Sequence, residues 1–129
     1  MKSKRQRLVK KLDDVFSKFI RQRDTDEDGL CYCYTCTTIK DLKEMDAGHY
    51  IKRGCMRTRW DERDVHAQCT TCNRFKGGRM DEYALHLIKD YGEGIIEELM
   101  QLKHMPVKKH TIEELECLVK LYKDKLKNT

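Results

Sequence analysis

The sequence predicts an α+β fold in which helices flank a short, irregular middle segment. Three observations predict it. Apolar residues recur at helical spacing near both ends of the chain. Residues 30–80 lose that periodicity and fill instead with Cys, Thr, Gly and Arg. Two C-x-x-C pairs, Cys33 with Cys36 and Cys69 with Cys72, lie within that segment. At 129 residues the chain reads as one domain, 1–129. It divides into an N-terminal helix over 5–22, a stapled core over 30–80 and C-terminal helices over 81–127.

The first helix rests on Leu8, Leu12, Val15, Phe16, Phe19 and Ile20, which share one face. The acidic run Asp24–Asp28, followed by Gly29, ends it in a turn. That run resembles the opening of a calcium loop. The calcium pattern needs Glu six residues after the glycine, and Thr35 stands there. After residue 80 helical spacing returns with Ala84, Leu87, Ile88 and Tyr91, and Gly92 and Gly94 break it. Ile95, Ile96, Leu99 and Met100 begin another helix, which must stop before Pro106. The last helix opens on a T-x-x-E capping box, Thr111 to Glu114. Its seam, Ile112, Leu115, Val119, Tyr122 and Leu126, alternates spacings of three and four. Such a seam needs a partner helix, from this chain or from a second subunit. Packing within the chain is the simpler expectation, and a homodimer through this helix is the alternative.

Composition narrows the function classes. Charged residues make up 38% of the chain and hydrophobic ones 39%, so the core is lean and gains from a staple. No apolar run approaches membrane-spanning length, and no apolar stretch follows the basic first residues as in a signal peptide. The expectation is a soluble, cytoplasmic protein without a membrane partner. In a reducing compartment cysteines read first as metal ligands, and an odd count of seven argues against a disulfide framework. Two knuckles can close a tetrahedron of four thiolates around Zn²⁺, a structural site with no open position. Cys31, Cys55 and Cys117 are read as core or neutral positions. The net charge of +5 is modest, but the basic residues cluster. Arg53, Arg57, Arg59 and Lys76 sit beside the knuckles and are candidates to grip phosphates.

Between the knuckles lies Asp46-Ala-Gly-His49-Tyr-Ile, and around the second lies Asp64-Val-His66-Ala-Gln-Cys69-Thr-Thr-Cys72-Asn73-Arg-Phe-Lys76-Gly-Gly. This reads as a short strand ending in a histidine, then a loop, then a helix beginning near the second knuckle. Phosphodiester hydrolysis needs a base to deprotonate water, a cation to neutralise charge, and Arg or Lys to hold the backbone in line. The segment offers a neutral imidazole, oxygen ligands for a hard cation and basic side chains. Trp60, next to Arg59, is read as a core residue, with stacking on an exposed base as the alternative.

These motifs resemble the HNH superfamily and, more closely, the phage NinG/Rap recombination proteins. The resemblance runs from about residue 30 into the helices over 83–102. It implies a ββα-metal core stapled by the four cysteines. It also implies an endonuclease, in a phage protein of the bacterial host cytoplasm, acting on branched intermediates such as D-loops and Holliday junctions and leaving a 5′-phosphate. His49 matches the general base, and Asn73 the final ligand of the motif. Asp64 stands where the family's middle Asn braces the loop. Gly48 stands where many relatives place a metal ligand, which leaves Asp46 as the candidate ligand with Asn73 for Mg²⁺ or Mn²⁺. His66 is a further candidate, as a ligand or a phosphate contact. Branched DNA and recombination proteins are the partners implied. Two other readings stay open: a zinc module that binds branched DNA without cutting, and a module that only pairs with protein.

Overall fold

A computed structural model describes residues 1–128. Helix α1, Lys4–Arg23, opens on a capping box in which Ser3 and Gln6 satisfy each other's backbone amides. Asp24 caps its end, and the acidic turn that follows is closed by Asp26, whose Oδ1 accepts from the amides of Asp28 and Leu30. Two tiny strands, β1 (Cys31–Tyr32) and β2 (Ile39–Lys40), then form an antiparallel ribbon. The first knuckle occupies the turn between them. Nothing in the alternation of the sequence marks this ribbon, because two residues per strand carry no period.

The central hairpin is antiparallel: β3 (Met45–His49) pairs with β4 (Val65–Cys69), Met45 opposite Cys69 and His49 opposite Val65. Every residue of β4 is buried. Its far edge is used too: the Ala67 carbonyl accepts from Tyr34 N–H, and Ala67 N–H donates to Asp24 Oδ2. The outer edge of β4 is thus paired, which satisfies backbone groups that would otherwise need water. The expected helix at the second knuckle is a single π-type turn, Thr71–Phe75. It stops because Gly77, Gly78 and Arg79 take left-handed backbone at φ 60°, 81° and 47°. Helix α2 (Met80–Tyr91) then runs to Gly92, and α3 (Ile95–His104) stops ahead of Pro106.

Helix α4 (Ile112–Lys127) starts on the expected Thr111–Glu114 capping box. Its seam packs on α1 of the same chain: Leu115, Val119 and Tyr122 are buried against Leu12, Phe16, Phe19 and Ile20. The Phe16 and Tyr122 rings meet edge to face at 4.8 Å. This is the packing within the chain that the seam allowed. The surface that raised the expectation of a homodimer through the last helix is therefore filled by α1. A second cluster gathers the cysteines with Met45 and Ala67, and a third joins Ile51 to α2 and α3 through Tyr83, Leu87, Ile95 and Leu99. The hairpin sits among the three, so the site is supported from every side. No helix among the described residues is long and apolar enough to cross a membrane.

Candidate metal centre and catalytic cleft

The β1–β2 ribbon and the end of β4 bring the two knuckles together. One sulfur from each of Cys33, Cys36, Cys69 and Cys72 lies within 4.8 Å of the other three, and Cys36 and Cys69 sulfurs are 3.7 Å apart. Four thiolates about 2.3 Å from one ion have this spacing, so the quartet can hold a metal ion such as zinc. Donors point at the sulfurs as thiolates require. Thr38 approaches Cys36 Sγ through its hydroxyl at 3.2 Å and its amide at 3.4 Å, Cys72 N–H donates to Cys69 Sγ at 3.4 Å, and Arg79 Nε donates to Cys72 Sγ at 3.1 Å. Cys31 stays outside this quartet with its thiol toward the Arg21 carbonyl, and Cys117 is exposed.

Beside the staple opens a cleft of about 960 Å³ lined by His49, Asn73, Arg53 and Ala47, and also by Asp14 and Lys103. His49 ends β3. Its Nε2 lies 2.9 Å from the Arg59 carbonyl, which can only accept, so Nε2 carries the proton. Among the described residues nothing bonds Nδ1, so its lone pair is free, and His49 lines the cleft. Burial pulls the imidazole pKa below the usual 6.5, against the opposing pull of that carbonyl and of Asp13. The ring is therefore neutral at physiological pH.

The carbonyl that orients His49 is itself braced. Asp13, on α1, accepts from Arg59 Nε at 3.0 Å, Arg59 Nη2 at 2.6 Å and Trp60 Nε1 at 3.0 Å. This corrects one expectation and agrees with another. Arg59 was a candidate to grip phosphates, but its side chain is 15% exposed and paired with Asp13. Trp60 is 8% exposed and sits in the α1–α4 core, as the core reading expected, so it has no face free for stacking. Arg57 Nε donates to the Pro106 carbonyl at 2.7 Å, tying the loop ahead of α4. Arg53 and Lys76 remain exposed. Sequence reasoning missed Asp13, Asp14 and Lys103. They come from helices far away in the chain, and helical period places them only on polar faces.

Asp46 and Asn73 meet across the hairpin: Asn73 Nδ2 donates to Asp46 Oδ2 at 3.0 Å. Arg74 holds the same carboxylate through Nε and Nη2, both at 3.0 Å. Gly48 faces the other way. A Cβ there would lie 1.8 Å from Gln68 Oε1, so the position is glycine because the buried Gln68 lies over it. A ligand side chain on residue 48 has no path to the cleft.

Asp64 is fully buried, and its Oδ1 accepts from Ile51 N–H at 2.8 Å. It therefore spans the loop that follows His49. Burial pushes its carboxyl up to about 8, although the Ile51 bond acts against this. His66 is a correction. It is 3% exposed, stacks on Tyr34 at 3.8 Å and lies 3.2 Å from Tyr83 Oη and 3.1 Å from Tyr91 Oη. Tyr83 spends its proton on the Gly48 carbonyl at 2.6 Å, so His66 Nδ1 donates to Tyr83 and Nε2 accepts from Tyr91. Burial drives its pKa down to about 3. It is a neutral histidine of the core, with both ring nitrogens facing tyrosine hydroxyls.

Comparison with known proteins gives a family. The model for the family described as Bacteriophage Lambda NinG protein matches residues 1–129. Proteins named Protein ninG are similar along the chain. The one from Escherichia phage lambda is 31% identical over 121 residues, covering 93% of this chain and 56% of that protein. The one from Salmonella phage P22 is 33% identical over 123 residues, covering 93% and 56%. The one from Escherichia phage 933W is 31% identical over 121 residues, covering 93% and 57%. The chain thus spans just over half the length of these curated relatives. No solved structure matches.

Proposed function

This chain belongs to the bacteriophage lambda NinG family, and from that premise we propose that it is a metal-dependent endonuclease of the HNH type that cuts branched DNA. One observation carries the reading. His49 is fixed by a carbonyl on Nε2, is neutral at physiological pH, keeps Nδ1 unpartnered and lines a cleft together with Asn73. A histidine buried for packing alone has no need of that arrangement.

In the reaction, Nδ1 of His49 takes a proton from water, and the oxygen attacks phosphorus. The bond to the 3′ oxygen breaks with its electron pair on that oxygen, which takes a proton from solvent, leaving a 5′-phosphate and a 3′-hydroxyl. Arg53 and Lys103, which line the cleft, and the exposed Lys76 hold neighbouring phosphates. Asp64 keeps the loop after His49 in place through Ile51. Asn73, which lines the cleft, and Asp46, which does not line it and which Arg74 would have to release, would offer one amide oxygen and one carboxylate. That fits Mg²⁺ or Mn²⁺, which often takes one or two protein carboxylates and completes its shell with water and substrate phosphate. A cation bound there supplies charge neutralisation at the phosphate and the leaving oxygen. The cysteine quartet, closed by its own four ligands, holds zinc as a staple and takes no part in chemistry. Recombination proteins of the phage host are the partners consistent with such a substrate.

A second reading, a branched-DNA binder that does not cut, is favoured by one observation. Arg74 already neutralises Asp46. Cleavage of labelled four-way junction, D-loop and linear duplex with Mg²⁺ or Mn²⁺ separates the two. The nuclease reading expects cutting of branched DNA that rises with cation, and an Asn73→Ala variant that needs at least about ten-fold more cation or loses cutting. Binding without cutting under either cation leaves the binder.

A further inference from the structure

Phe75 is 76% exposed, the most exposed aromatic ring of the described residues. It ends the Thr71–Phe75 turn, whose root is Cys72 in the metal quartet. The loop beyond it is closed. Gly78 N–H donates to the Cys72 carbonyl at 2.8 Å, Arg79 N–H donates to the Lys76 carbonyl at 3.0 Å, and the Gly78 carbonyl accepts from Gln68 Nε2 at 2.9 Å. Gly77 and Gly78 make this possible by taking left-handed backbone. The ring is therefore displayed by a fastened tip rather than by a loop free to bury it.

Its surroundings say what it faces. Arg74, paired with Asp46, and Lys76 flank it, and both are exposed. Asn73 lies two residues before it, Gly77 and Gly78 follow it, and all three line the cleft that holds His49. A flat apolar ring beside the exposed Lys76 and the cleft that holds His49 matches a nucleobase and its backbone. An apolar protein partner would not call for the cation or for nearness to the cleft. Resting on the DNA reading above, we propose that Phe75 is a stacking platform for an unpaired base next to the phosphate entering the cleft. Every base has a π-face, so such a platform reads no sequence. In a linear duplex those faces are covered by neighbouring pairs. At a branch point they open, and the ring converts that difference into a preference for branched DNA.

The test uses the full chain carrying His49→Ala, so that DNA stays whole, with zinc content and melting checked for each variant. Binding is measured on a four-way junction with 2-aminopurine at the crossover and on the matching duplex. The proposal expects 2-aminopurine emission to change on binding. Phe75→Ala should weaken junction binding about ten-fold or more while duplex binding changes about two-fold or less, in line with stacking energies. Phe75→Trp should restore the preference. An unchanged junction-to-duplex ratio in Phe75→Ala overturns the proposal, as does an equal loss on both DNAs, which would leave the ring to support or to a protein partner. These readouts do not need cleavage. If no cation supports cutting but the ratio collapses in Phe75→Ala, the nuclease reading fails and the platform stands. If cutting occurs and the ratio is unmoved, the reverse holds.

Discussion

A histidine becomes useful as a base only when something fixes which nitrogen is free. In this chain the Arg59 carbonyl does so for His49, and Asp13 fixes the carbonyl by taking three donors from Arg59 and Trp60. Asp13→Asn keeps the shape but loses the ion pair and can accept at one oxygen only. We expect cleavage of branched DNA to fall about ten- to a hundred-fold with DNA binding unchanged. The ¹⁵N shifts of His49 should then show a mixed tautomer; unchanged shifts and rate would contradict this. Asp64 makes a prediction of opposite character. A carboxyl raised to about 8 in the folded chain, from an ordinary value near 3.8, is protonated when folded over that window. Its contribution is fully present below the unfolded value and is lost as pH rises through about 8. Asp64→Asn removes the charge that would otherwise be buried. It should be more stable than the parent above pH 8, by about 5 kcal/mol, and similar at pH 4, as read by denaturant melts. His66 has the reverse sign. Its pKa is depressed to about 3, so its contribution is present above the usual 6.5 and is lost as pH falls toward 3. The roles of His49 and Asn73 were proposed from the family resemblance that their motifs carry. The misplacing of His66 and Arg59 has a physical cause: spacing along a strand or loop gives the residue type but not the partner. Tyr34, Tyr83, Tyr91 and Asp13 are supplied by other elements.

Helices were legible where a wide apolar stripe had a capping signal or a glycine at its edge. The predicted helix over 5–22 is Lys4–Arg23, and the seam from Ile112 to Leu126 lies on one continuous helix. The β1–β2 ribbon was not legible, since two-residue strands have no period and are held by the cysteine staple rather than by pattern. Nor was the shortness of the turn after the second knuckle, which depends on three successive left-handed residues, one of them Arg79. Two outcomes belong at this scale. Leu115 is fully buried between α4 and α1, and Leu115→Ala should cost about 2–5 kcal/mol in a chemical melt while leaving zinc content intact. Removal of metal by a chelator should release the ribbon and the Thr71–Phe75 turn. Elemental analysis should find one zinc per chain, and Cys36→Ser should reduce it and lower the melting temperature by several degrees. A chain that melts unchanged without metal would show that the quartet is not a staple.

Taken whole, the molecule packs helices from both ends of the chain around one hairpin. The α+β arrangement followed from composition and period. What could not be read was that α1, outside the 30–80 segment, closes one side of the cleft with Asp13 and Asp14, and that α3 closes the other with Lys103. Such placement depends on three-dimensional closure over long stretches of sequence. The same closure explains Gly48: the residue is set by Gln68 behind the hairpin, and the cleft has no part in it. The central claim is that His49 is the base of a nuclease, and cleavage of a labelled four-way junction by wild type and His49→Ala, at equal zinc content and equal DNA occupancy, tests it most directly. The account predicts cutting by the wild type and loss of at least about a hundred-fold in the variant. Equal cutting by both proteins would contradict it.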